Sequence, residues 1–154
     1  MEVFNLFDDE LPAREDAQPG FGGGRAMLRP LLGGSSVGVS VYELPPGERL
    51  WPYHYELNRE EWLLVVAGEP TLREPGGERR LRAGDVVCFP VGPEGSHALR
   101  NEAGEPVRVV VLAEYSQGAY TTVQPDSDKI LVRSVEGRRI IRGSPQLDYW
   151  DGEA

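Results

Sequence analysis

The stretch PYHYELNREEWLLVVAGEP, residues 52–70, sets one of only two histidines in the chain and two carboxylates against an apolar run. Glu56 follows His54 by two positions and Glu61 follows Glu56 by five, immediately before Trp62–Ala67. Side chains alternate across an extended strand, so His54 and Glu56 share a face. After the short turn Leu57–Glu60, a second strand puts Glu61, Leu63 and Val65 on one face and Trp62, Leu64 and Val66 on the other. If the Glu61 face is the interior, a carboxylate sits among buried aliphatics, which is costly unless it is paired or binds a metal. His97, the second histidine, opens a later strand with Leu99 on its face.

Imidazole and carboxylate together suit Zn, Mn, Fe, Ni or Cu, and two histidines with one carboxylate make a facial triad. Glu56 offers a second carboxylate to the same place. Without a cation between them, Glu56 and Glu61 would repel and one would hold a raised pKa. The alternative is that Glu56 turns out to solvent and pairs with Arg59. Spacing alone leaves both open.

Strand signals continue on both sides of this stretch. Residues 36–44 alternate Val37, Val39 and Val41 against Gly38, Ser40 and Tyr42. Residues 84–90 read as a strand that contains Cys88 as a small buried hydrophobe. Three hairpins are expected, with turns at 75–77, at 103–105 and at 135–137. The second of these would join 96–102 to 106–115. No helical periodicity is sustained, and strands every 8–12 residues with polar turns indicate an all-β sandwich or barrel.

The 154 residues suit one domain with its own core. Sixteen basic against twenty-five acidic residues give a net charge of -9, which disfavours nucleic acid and anionic membrane as partners. No apolar run is long enough to span a bilayer, and residues 1–16 are acidic where a secretion signal needs basic residues. With a single cysteine, a cytoplasmic location is the simplest expectation.

The spacing of the polar residues resembles the two motifs of the cupin family. The first motif is matched by Gly47, His54-Tyr55-Glu56, Glu61 and, after six residues, Gly68. The second is matched by Gly84, then Pro90-Val91-Gly92, then His97 and Asn101. Both histidines fall on motif positions. The resemblance implies a cupin double-stranded β-helix, a jelly-roll-like antiparallel barrel. Its core would span about 37–115, within a single domain 1–154 that has irregular arms at 1–34 and 120–154. It also implies a divalent metal (Zn, Mn, Fe or Ni) held by His54, Glu56, Glu61 and His97, with Glu56 standing where the family usually has histidine. A small-molecule ligand or substrate would occupy the barrel mouth. The outer row Trp62, Leu64 and Val66 needs a cover, either the chain's own arms or a second copy in a homodimer.

Two functions are compatible with this. One is a metal-dependent enzyme of isomerase, dioxygenase or decarboxylase type acting on a small polar molecule. The other is a non-catalytic metal or small-molecule binding protein. A third reading dispenses with metal and uses His54 with a tyrosine, such as Tyr53 or Tyr55, as acid and base.

Overall fold

The alternation at 36–44 becomes strand β2 (Val37–Leu44), and the apolar run becomes β4 (Glu61–Ala67). The computed structural model describes residues 1–115 and 119–153. Every strand ladder among them is antiparallel. One sheet has five strands in the order β1-β2-β9-β4-β7, where β1 is Gly24–Met27, β9 is Val107–Glu114 and β7 is Val86–Phe89. A second has the order β6-β5-β8, with β5 at Thr71–Glu74, β6 at Gly77–Arg80 and β8 at Ala98–Arg100. A third has the order β12-β11-β10-β3, with β3 at Tyr55–Glu56, β10 at Tyr120–Gln124, β11 at Lys129–Ser134 and β12 at Gly137–Arg142. Single bridges Arg49↔Arg100 and His54↔His97 tie the segment before β3 to β8. This is the all-β antiparallel architecture expected from the strand spacing.

The two faces of β4 divide the core. Leu63 and Val65 pack inward with Leu44, Leu72, Leu99, Val107 and Val109, all essentially without exposure. Leu64 and Val66 point the other way, where Phe4, Leu6, Leu11, Ala26 and Leu28 cover them. The N-terminal arm is therefore the lid on the outer face. It is fixed by β1, by the helical turn α1 (Leu28–Leu31) and by Arg108, whose Nη1 donates to the carbonyls of Leu6, Phe7 and Asp9.

Three expectations need correction. The hairpin joining 96–102 to 106–115 does not form: β8 pairs with β5, with Leu72 opposite Leu99, while β9 lies between β2 and β4. The chain crosses between sheets there because β8 and β9 both bury apolar residues from opposite walls of one core. The arms carry more regular structure than expected: the first has no strand or helix over 1–23 but ends in β1 and α1, and β10, β11 and β12 run through the second. Cys88 is only half-buried, because it pairs with Trp62 on the outer face while Val87 and Phe89 point inward. No helix among the described residues is long and apolar enough to cross a membrane.

Candidate metal centre

The bridge His54↔His97 brings the two histidines side by side, with their backbones exchanging hydrogen bonds of 3.0 and 2.8 Å. Their ring centroids are 4.5 Å apart. Each ring is oriented from behind. His54 Nδ1 lies 2.9 Å from the Pro52 carbonyl, and His97 Nδ1 lies 2.9 Å from the Gly95 carbonyl. A carbonyl only accepts, so each Nδ1 carries a proton and each Nε2 turns inward, with a bare lone pair whenever its ring is neutral. Phe89 stacks on His97 at 3.6 Å, and Trp51 stands edge-on to both imidazoles. Gly95 is needed for this geometry: a Cβ there would lie 1.8 Å from the Pro90 carbonyl oxygen.

Glu61, on the inward face of β4, aims Oε2 at both lone pairs, at 3.5 Å from His54 Nε2 and 3.6 Å from His97 Nε2. These are charge contacts too long for well-formed hydrogen bonds. Glu61 Oε2 and His97 Nε2 are both buried and lack a hydrogen-bond partner. Ligand atoms on a small divalent ion with bonds near 2.1 Å stand about 3–3.5 Å apart, so the observed spacing fits. His54, Glu61 and His97 offer ligand atoms that all lie within 4.8 Å of one another.

Glu56 faces the same cavity but lies outside that group of three. Its Oε1 accepts hydrogen bonds from Thr122 Oγ1 at 2.9 Å and Arg59 Nη2 at 3.1 Å, while Oε2 is buried without a partner. Arg59 is thus the partner foreseen for Glu56, but both side chains turn inward rather than to solvent. Arg59 Nη2 also reaches Glu61 Oε1 at 3.5 Å, and its guanidinium lies 3.8 Å over the Tyr120 ring. Part of the positive charge that the two carboxylates require is therefore supplied by the chain itself.

Burial opposes a charge on His54, but the Glu61 carboxylate outweighs it and holds the His54 pKa above the ordinary imidazole value. Burial and the neighbouring His54 push His97 down to about 4. Burial works against the Glu61 charge, yet His54, Arg59 and His97 keep its pKa below the usual carboxylate range. For Glu56 burial prevails over Arg59 and raises it.

The chain matches the cupin domain model over residues 40–113, a span that contains all four expected ligands. Residues 40–113 are a cupin domain. A candidate sugar phosphate isomerase from Acidithiobacillus ferrooxidans is similar in structure, with a TM-score of 0.81 at 19% identity over 93% of this chain and 92% of the other. A sugar phosphate isomerase of the cupin superfamily from Silicibacter pomeroyi gives a TM-score of 0.79 at 22% identity over 96% and 98%. A predicted oxalate decarboxylase from Thermotoga maritima gives 0.60 at 18% identity over 73% and 98%. At these identities the likeness is one of fold. No curated protein matches the sequence significantly.

Several residues of this cupin's cavity were not singled out from the sequence. Trp51 and Phe89 wall the histidines, and Thr122 reaches Glu56 from β10, more than sixty residues away. Neither Tyr53 nor Tyr55 lines the cavity at the histidines; Tyr53 packs under Arg73 beside a separate pocket. Alternation puts both tyrosines on the face opposite His54, so neither is its acid–base partner; the tyrosines that line the cavity are Tyr42, Tyr115 and Tyr120.

Proposed function

We propose that this cupin binds a divalent metal through His54, Glu61 and His97, with Glu56 at the fourth position, and acts on a small polar molecule in the barrel mouth. The observation that carries the proposal is the convergence of two oriented Nε2 lone pairs and the unpartnered Glu61 Oε2 in a buried, aromatic-walled pocket. Unpaired buried acceptors of this kind are unfavourable unless a cation satisfies them. A metal held there would supply Lewis acidity toward a carbonyl or carboxylate oxygen.

The chain's own part is to orient and to exclude water. The Pro52 and Gly95 carbonyls fix the ring faces, and Trp51 and Phe89 keep solvent off them. Glu56, whose raised pKa lets it hold a proton at higher pH than a free carboxylate, stands beside the site tethered by Thr122 and Arg59. A second reading follows from that tether: Glu56 is a proton carrier rather than a ligand. Structural relatives named as sugar phosphate isomerases favour an isomerase reaction on a phosphorylated sugar over simple storage of metal.

The test is metal content of protein purified without chelator, compared with His97→Ala, Glu61→Gln and Glu56→Gln. Bound metal near one per chain, lost in the first two variants, is expected. Loss in Glu56→Gln as well makes Glu56 a ligand; full retention with altered turnover makes it the proton carrier. A parent protein that takes up no divalent metal on addition would overturn the proposal.

A further inference from the structure

The metal centre opens into a cavity of about 630 Å³ whose lining has the opposite charge balance from the chain. Six arginines and only three carboxylates line it, in a protein with sixteen basic and twenty-five acidic residues. Three of those arginines are already engaged. Arg59 serves Glu56 and Glu61, and Arg14 and Arg25 share Asp16 at 3.3 and 3.2 Å. The other three, Arg29, Arg133 and Arg138, have no carboxylate or hydrogen-bond acceptor among the described residues. Arg29 only stacks on the Tyr115 ring, 3.6 Å from its centroid.

Arg133 and Arg138 face each other directly across the β11–β12 ladder. Like charges in that position destabilise a hairpin. Alternation along β11 places Arg133 on the face of Leu131, and both line the cavity together with Arg138. The pair therefore stands at the solvent-exposed rim of the chamber, where an anion would relieve the repulsion between its members. Guanidinium groups bind oxyanions through paired parallel N–H donors, and three unpaired forks suit a group with several acceptor oxygens. A local excess of positive charge also offsets the repulsion that a chain of net charge -9 exerts on an anionic ligand.

We infer that Arg29, Arg133 and Arg138 form an oxyanion receptor that holds the phosphate or carboxylate group of a small molecule while its other end faces His54, Glu61 and His97. The inference rests on reading this cavity as the ligand chamber of the proposed metal centre, but the receptor itself needs no metal. Its test is calorimetric titration of the full chain, stripped with chelator, with inorganic phosphate and separately with malonate. The same titrations are made on Arg133→Gln/Arg138→Gln, on Arg29→Gln and on Arg139→Gln, a neighbour on β12 that does not line the cavity. At least one anion should bind the parent. Each cavity arginine lost should weaken it by about tenfold, as expected for a charge-assisted bond, and Arg139→Gln should not. Phosphate alone binding identifies a phosphate ester, and malonate alone a carboxylate. Arg29→Gln leaves the hairpin untouched and keeps the test decisive if the double variant melts early. No binding of either anion at millimolar concentration, or equal weakening by Arg139→Gln, overturns the inference. Anion binding that appears only with metal and ignores the arginines also overturns it while leaving the metal centre intact. Arginine-dependent binding in a chain that takes up no metal would do the reverse.

Discussion

His97 is the most informative single residue, because burial and the neighbouring His54 disfavour its charge more than Glu61 and the Gly95 carbonyl favour it. It is 1% exposed, stacked on Phe89 and beside His54, and its pKa falls from 6.5 to about 4. A depressed folded-state value adds stability that is fully present above the unfolded pKa and is lost as pH falls through the folded one. For His97 that window runs from 6.5 down to about 4, and a shift of that size corresponds to about 3 kcal/mol. His54 acts in the opposite sense: its raised value adds stability below 6.5 that fades as pH rises through the folded pKa. We predict that chelated parent protein loses melting temperature more steeply than His97→Asn between pH 6.5 and about 4. Parallel melting curves for the two proteins would show that His97 does not carry that term. The neutral His97 and the charged Glu61 are also the protonation states in which both groups ligate a metal. The sequence revealed which residues meet, since both histidines sit on motif positions. It did not reveal Arg59 as an internal cation, because a residue in a four-residue turn can point either way. The contact with Tyr120 that draws it inward comes from a strand sixty residues later.

At the scale of elements, strand identity was legible wherever period two and turn residues agreed. The hairpins at Pro75-Gly76 and Val135-Glu136 form with the expected partners, Glu74 opposite Gly77 and Ser134 opposite Gly137. Strand pairing across 101–106 was not legible, because a short polar link between two strands reads as a hairpin whether or not the chain changes sheets. Asn101 makes the difference. Its Nδ2 donates to the carbonyls of Leu44 and Glu105 at 2.9 and 2.8 Å, and its Oδ1 accepts from the Ala103 N–H at 2.9 Å. The motif asparagine thus fastens the end of β8 to the end of β2 across the core and stops β9 from folding back on β8. It is 1% exposed, and its removal strands the buried Leu44 carbonyl, while the Glu105 carbonyl sits at the exposed link. We expect Asn101→Ala to cost about 3 kcal/mol, from three lost hydrogen bonds and the unsatisfied carbonyl left behind. Chemical denaturation measures this, and a cost under about 1 kcal/mol would mean that the link is held by packing instead.

For the whole molecule, the question is what covers the apolar surface that the fold leaves out. The N-terminal arm answers for Leu64 and Val66, and so removes one reason to expect a second copy. The C-terminal sheet supplies another. Among the described residues strand β12 has only β11 as a neighbour, and all six of its residues are exposed. Ile140 and Ile141 are 53% and 52% exposed on opposite faces of that strand, so no single arm of the chain could cover both. A free edge of this length carrying aliphatics on both faces is a template for another strand. The two relatives that align over 93% and 96% of this chain span the C-terminal strands as well, so the sheet belongs to their shared fold rather than to a loose tail. A two-fold axis beside β12 would pair the strand with its own copy, antiparallel, and each copy would shield the other's isoleucines. We predict a homodimer built on this edge. Light scattering should give twice the 17.0 kDa chain mass for the parent and the chain mass itself for Ile140→Lys/Ile141→Lys, with unchanged far-ultraviolet circular dichroism. A monomeric parent at micromolar concentration would contradict the prediction. So would a lysine variant that still dimerises, which would move the interface to another face, such as the half-exposed Trp62 beside Cys88.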